Sequence, residues 1–529
     1  MLFQSLEFIC IFLPVVIAGY FLINRHSAGS GFVCHWWLTG ASLFFYGCFH
    51  PLFPVLLLVS GALTYEISIR MRKNFDAPGT VIFLRNLGVV LHLLILFLYK
   101  YYDFFVGQIG SVSGLNVTPL GLLLPVGLSF TTFQQIAFLI DTKRAVLSEE
   151  TGENAALLTD CTRTEYLTYI TFFPKLVQGP ITLPSEFLPQ LRDEGRRTFS
   201  PARFTDSLLL FIIGLAKKVL LADTLAPIVR FGYESTYYLD TLSVILLLVS
   251  YAFQLYFDFT GYCDMAQAVA GMLNIDLPDN FHSPFQARSI KSLWQRWHMS
   301  LSRFFTRYVY IPLGGSRKGR ARTLVNVMIV FVLSAVWHGA GWTYLAWGVL
   351  EGFFVVCEEW WTGDNGDGSV CHLVKQVTTQ NRPQLSPAEK RVIVPVPLTH
   401  SLVTNALFCL GLIFFNAQNM TYAFTMLRRL FVPLFPGFLY RIAAQLQFPE
   451  SYLLQQAVTR FVPQYENLLQ LCLWLALLLL CGFIISRKRA AEQIAALKLT
   501  KRAALAYAAL FAWSLASLSS VGEFIYFAF

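Results

Sequence analysis

The chain has 529 residues, 55 % of them hydrophobic and only 13 % charged, with a formal net charge of +9. Soluble proteins carry about 25 % charged residues, so at a mean hydropathy of +0.55 the composition excludes disorder, a coiled coil, a collagen-like fibre and an ordinary soluble enzyme. The solvent it fits is a lipid bilayer.

A spanning helix needs about 20 mostly apolar residues. Runs of that kind occupy 2–23, 32–49, 52–69, 81–100, 119–140, 207–228, 241–272, 324–360, 402–417, 465–485 and 503–527. Shorter runs near 164–182 and 430–445 fit re-entrant or interfacial segments. The reading is an all-α polytopic membrane protein of roughly ten to thirteen helices, a single membrane domain over 1–529, because lipid leaves such runs little else. The first run follows no basic segment and ends in no small-residue cleavage site, so it reads as a retained helix. Ten cysteines show no C-x-x-C pair and mostly sit in apolar runs; they read as small hydrophobes, not disulfides or metal ligands. The Gly- and Pro-containing stretch 361–400 reads as an exposed polar loop.

Orientation follows from the basic residues of short loops. Arg25, then Arg70, Arg72 and Lys73, then Lys143 and Arg144 alternate with loops at 49–51 and 103–118 that carry none. This predicts an N-terminus on the outside (periplasmic in the bacterial setting that the resemblance below implies) and, if 207–228 and 241–272 each cross once, puts 276–323 on the cytoplasmic side.

Three places hold polar residues against expectation. In the run 241–272, Gln254, Asp258, Gly261 and Asp264 share one helix face within about 120°. Two readings stand: carboxylates clamping cations of a neighbouring helix, or the wall of a wet cavity. In the segment from Ser289 to Arg322, helical spacing puts Trp294, Trp297, His298, Leu301, Phe305 and Tyr308 on one stripe, with Arg296, Ser300, Arg303 and Arg307 opposite. That predicts an amphipathic interfacial helix ended by Pro312 and Gly314-Gly315, with a basic tail around Arg317. His298 lies on the apolar stripe, as a packing residue or as a functional one. Third, His338 sits in an apolar run beside Trp337, with small and aromatic residues following; it is either a helix-bridging hydrogen bonder or a general base of the kind that activates an alcohol. Between Phe281 and Arg322 stand nine Lys/Arg and no acid. The whole +9 therefore belongs to one segment, which speaks against a diffuse preference for nucleic acid.

At these residues the sequence resembles the membrane-bound O-acyltransferase (MBOAT) family, in its bacterial branch that includes the alginate O-acetylation membrane protein. The resemblance rests on LPVGLSFTTFQQIAFLID (124–141), FFPKLVQGPI (172–181), GLAKKVLLAD (214–223), YFDFTGYCDMA (256–266), the block from Pro278 to Gly315, and VWHGAGW (336–342), all in family order. It implies a helical ring around a transmembrane tunnel, core motifs at 124–342, a bacterial inner-membrane location, and acetyl-coenzyme A or another acyl thioester as a cytoplasmic donor substrate, with no tightly bound cofactor and no metal. His338 maps onto the essential histidine and His298 onto the second one. His338 would take the acceptor proton, and His298 would orient the donor or hydrogen-bond the oxyanion; a covalent acyl-histidine relay is the alternative. Asp258, Asp264, Asn280, Trp294, Gln295, Trp297, Ser300, Arg303, Tyr310 and Trp337 would line the tunnel. Arg296, Arg307 and Arg317 would attract the anionic donor or, alternatively, anchor to anionic lipid. The implied partners are membrane lipid, a periplasmic acetyl-transferring or polysaccharide-modifying protein, and an exported, alginate-like polysaccharide. Teichoic acid, cellulose or a lipid are alternative acceptors, and a transporter or flippase is the rival of another class. The chain departs from the branch at Thr131 (Tyr), Asn416 (Arg) and Ala528 (Gln). These departures bear on acceptor and partner and leave His338 in place.

Overall fold

Lipid admits only backbones that satisfy themselves, and the computed structural model of the chain contains helices and no strand among the described residues, 1–26, 31–114, 117–362, 398–433, 436–446 and 451–520. Among the described residues, seven helical stretches have the length and apolarity to cross a bilayer: Phe8–His26, Leu52–Lys73, Pro78–Ser113, Thr241–Met272, Arg320–His338, Thr399–Asn416 and Pro463–Ser486. Their outward faces expose large apolar side chains such as Ile11, Val59, Phe83 and Leu479, a surface suited to lipid.

Fewer helices qualify than the ten to thirteen expected. Gly31–Gly47 and Lys501–Ala516, with 17 and 16 residues, fall short of a full crossing. The run 119–140 becomes helical only at Leu128, because Pro119, Gly121 and Pro125 keep 117–127 irregular. Gly127 opens that helix at φ +78, where a Cβ would collide with the Leu176 carbonyl. The run 324–360 is two helices, Arg320–His338 and Trp342–Thr362, divided at Gly339. Most of the loop expected at 361–400 and the chain end carrying Ala528 lie outside the described residues. Cys34, Cys161, Cys263 and Cys481 are buried as expected, but Cys10, Cys48, Cys357 and Cys472 are exposed.

The 32-residue helix Thr241–Met272 is the axis of the molecule, with 67 % of its most apolar window buried. Asp240 caps its start by accepting from the Ser243 N–H at 2.7 Å. Two glycines set its contact with the preceding helix, since a Cβ on Gly214 or on Gly261 would fall 2.8 Å from the other's carbonyl oxygen. One turn on, the π-helical stretch Lys217–Ala222 carries two lysines into that interface. Lys218 Nζ lies 2.7 Å from Asp258 and 2.8 Å from Asp223, and Lys217 Nζ lies 2.5 Å from Asp264. Of the two readings of Asp258 and Asp264, the structure contains the clamp. A carboxylate held in apolar surroundings needs its countercharge alongside.

Loops from distant parts of the chain are laced together by ion pairs. Arg307 meets Asp141 at 3.2 Å and Glu150 at 3.1 Å, Arg303 meets Glu186, and Arg192 meets Glu165 at 2.7 Å. Arg196 and Arg203 share Asp276, and Arg489 reaches Asp279 at 2.6 Å. Burial pushes the Glu165 carboxyl up, but Arg192 and the Thr162 N–H outweigh it and hold it below the ordinary carboxylate range. The stretches 141–150, 186–203 and 276–307, rich in charges of both signs, therefore share one face of the molecule.

Candidate active site

The expected amphipathic helix over 290–308 does not form as one piece. Ile290–Arg296 stops, Trp297 is extended, and His298 takes a left-handed φ of +47° before Met299–Phe305 resumes. The Asn280 neighbourhood makes this corner possible by offering other hydrogen-bond partners. The His282 N–H donates to the Arg296 carbonyl and the Met299 N–H to the Asn280 carbonyl, both at 2.9 Å. The corner breaks the predicted stripe and turns His298 into the protein.

Asn280 also fixes the imidazole. Its Oδ1 lies 3.1 Å from His298 Nδ1 and accepts from the Ser300 N–H at 3.1 Å and the Ser300 hydroxyl at 2.9 Å. A carboxamide oxygen only accepts, so Nδ1 of His298 carries the proton and Nε2 keeps a lone pair. Burial, and to a lesser degree the nearby His338, hold the His298 imidazole well below its ordinary range.

His338 ends the helix Arg320–His338 and reaches back one turn, its Nδ1 2.6 Å from the Ser334 carbonyl. A carbonyl likewise only accepts. His338 thus has the same tautomer, with its lone pair on Nε2. The Trp337 ring lies between the two, its centroid 4.8 Å from the His338 ring and 5.9 Å from that of His298. Trp347 and Phe415 wall the other side of His338, at 4.9 and 5.4 Å.

Both histidines line one narrow cavity of about 150 Å³. One face of the Arg320–His338 helix forms a wall through Leu324, Val327, Val330, Phe331, Ser334 and His338. Fourteen residues of helix rise about 21 Å, so the cavity is a slot, not a bowl. Lys291, Tyr310 and Glu359 line it as well, and Lys291 Nζ is 2.6 Å from Glu359. These residues belong to the basic block or to the end of Trp342–Thr362, so the polar mouth lies toward the charged face and His338 at the far end. Between them the walls are apolar and aromatic.

Of the residues singled out from sequence, His338, His298, Trp294, Gln295, Trp297 and Tyr310 line this cavity. The structure places the others elsewhere. Asp258 and Asp264 are in the lysine clamp. Asn280 and Ser300 form the support behind His298, with Ser300 Oγ also accepting from the Ile181 N–H at 3.0 Å. Trp337 is buried behind the cavity wall, against Phe130 and Phe133. Arg303 and Arg307 are committed to Glu186 and to Asp141 with Glu150, because loop ends need their charges matched. Arg296 donates to Ser292 Oγ at 3.2 Å and Arg317 is exposed. Sequence reasoning missed Ser334, Trp347 and Phe415. Ser334 stands four residues before His338 and was open to an i,i+4 argument. Phe415 adjoins Asn416, so one departure from the branch pattern lies beside the chemistry, contrary to expectation. Thr131 is buried, its hydroxyl donating to the Leu128 carbonyl at 3.0 Å.

Residues 88–363 match the family model described as MBOAT, membrane-bound O-acyltransferase family, a span that holds both histidines. The chain is 37 % identical over 366 residues to the peptidoglycan O-acetyltransferase of Helicobacter pylori, covering 66 % of this chain and 69 % of that one. It is 32 % identical over 387 residues to the probable alginate O-acetylase AlgI of Pseudomonas aeruginosa, covering 72 % and 70 %. To the teichoic acid D-alanyltransferase of Bacillus subtilis it is 26 % identical over 320 residues, covering 58 % and 74 %.

Proposed function

Because this chain belongs to the membrane-bound O-acyltransferase family, and is thus a multi-pass membrane O-acyltransferase, we propose that it moves acetyl groups from acetyl-coenzyme A to an acceptor hydroxyl, for O-acetylation of an exported polysaccharide. The observation that carries the reading is the lone pair of His338 Nε2 at the inner end of a slender apolar slot. An engineered cavity of about 150 Å³ holds a benzene, so a slot of this size suits a thin thioester arm and excludes a nucleotide. The nucleotide stays at the basic mouth, where Lys291, Arg296 and Arg317 supply positive charge. The mouth faces the cytoplasm of a bacterial inner membrane, in keeping with the positive-inside count.

The acceptor hydroxyl gives its proton to His338 Nε2 as its oxygen attacks the thioester carbonyl; the carbon–sulfur bond then breaks, and the thiolate regains that proton to leave as a thiol. The Nδ1–Ser334 bond holds the ring in the tautomer this step needs. His298 with its proton on Nδ1 offers an acceptor at Nε2. That suits orienting a donor N–H or the acceptor O–H better than stabilising an oxyanion. A periplasmic polysaccharide-modifying partner passes the acetyl group onward. Relatives named for peptidoglycan and for alginate both support a glycan acceptor, and those named for teichoic acid D-alanylation mark the second reading.

In the cell that produces this protein, His338→Ala is expected to abolish O-acetyl esters on exported glycan while the protein still inserts and accumulates. Mass spectrometry of wall fragments and exopolysaccharide, with D-alanyl esters measured in parallel, distinguishes the acceptors. Undiminished O-acetylation would sink the assignment.

A further inference from the structure

The helix that ends in His338 leaves its last carbonyls without helical partners, and in the structure the four carbonyls from Ser334 to Trp337 have donors from outside its regular backbone ladder or at its cap. Ser334 O is taken by the His338 ring, and Ala335 O by the Gly339 N–H at 3.3 Å. The other two are met from another helix: Tyr101 OH donates to Val336 O at 2.7 Å, and Lys100 Nζ to Trp337 O at 2.5 Å. Lys100 and Tyr101 are adjacent in sequence. On a regular helix they would point about 100° apart, but they end the π-helical turn Phe97–Tyr101, which lets both reach one target. Such turns gather at functional sites. An intramembrane lysine is costly and marks function by default, and a cation suits the negative end of a helix dipole.

Resting on the role of His338 proposed above, we infer that Lys100 and Tyr101 are positioning residues for the reaction. They clamp the end of the His338 helix, and so fix the height and angle at which Nε2 meets the acceptor hydroxyl. Neither touches the cavity; both act through the backbone of residues 336 and 337. Displacement of a reacting group by about 1 Å costs about a hundredfold in rate.

The test is steady-state turnover of acetyl-coenzyme A by purified protein, per monodisperse molecule on size exclusion. Lys100→Met is expected to lower kcat about a hundredfold with KM unchanged. Lys100→Arg, which keeps a donor and the charge, is expected to restore most of that loss. Tyr101→Phe deletes one hydroxyl and folds even where Lys100→Met does not; it is expected to lower kcat about tenfold, the worth of one well-placed hydrogen bond. Parental kcat in Lys100→Met or in Tyr101→Phe would overturn the inference, as would a rise in KM at unchanged kcat. His338→Ala in the same assay separates the two claims. If it is inert while the Lys100 and Tyr101 variants match the parent, the clamp alone fails; if it turns over normally, the role of His338 fails.

Discussion

An imidazole whose Nδ1 is spent on an acceptor-only oxygen has one group left to offer, the lone pair at Nε2. His338 is in that state through Ser334 and His298 through Asn280. Asn280 should therefore matter without touching substrate. Asn280→Ala is expected to lower kcat/KM for the thioester by ten- to a hundredfold, roughly the cost of a misoriented group, and Ser300→Ala, which leaves the Asn280–His298 bond intact, by much less. Equal kinetics for Asn280→Ala and the parent would return Asn280 to a purely structural role. The two histidines were legible in the sequence because an ionisable residue among aromatics stands out. What Asn280 does was not: it lies 18 positions away, and its reach depends on a left-handed corner that helical spacing does not anticipate.

Among the elements, the interface between Thr241–Met272 and the stretch before it shows where helical reasoning succeeds and stops. One face carrying Asp258 and Asp264 was readable from a 100° step. Their partners were not: Lys217 and Lys218, adjacent in one π-helical stretch, each serve a different carboxylate of that face. Lys218 is almost wholly buried and serves two carboxylates at once. Removing one partner of such a cluster leaves charge buried without its counterion, at about 3–5 kcal/mol. Lys218→Met is expected to lower the midpoint of thermal unfolding in detergent by several degrees or to abolish accumulation. A parental midpoint would show that the clamp contributes little. In the same way, 119–140 was read as one run, and neither the break that Pro119, Gly121 and Pro125 impose nor the helix start against the Leu176 carbonyl was foreseen.

At the scale of the whole molecule, the nine surplus positive charges of one segment are distributed by folding. Arg303 and Arg307 join acidic residues from 141–150 and 186, and Lys291 joins Glu359, so much of the block is structural lacing. Arg296 and Arg317, read from sequence as attracting an anionic donor, stand outside those ion pairs. All-helical architecture was legible because hydropathy reports it, and the two cavity-lining histidines because polar residues in apolar runs are rare. The course of the slot was not, because its walls come from helices far apart in sequence, Leu324 to His338 facing Phe408 to Phe415. The central claim is that a donor enters from the charged face and reaches His338 along this slot. Sealed vesicles of known orientation, given acetyl-coenzyme A on one side only, test it through the rate of thioester consumption by the parent, His338→Ala and Val327→Trp, the last filling the slot between its mouth and His338. The expected result is consumption from the cytoplasmic face by the parent and none by either variant. Parental turnover in Val327→Trp, or consumption from the opposite face, would contradict it.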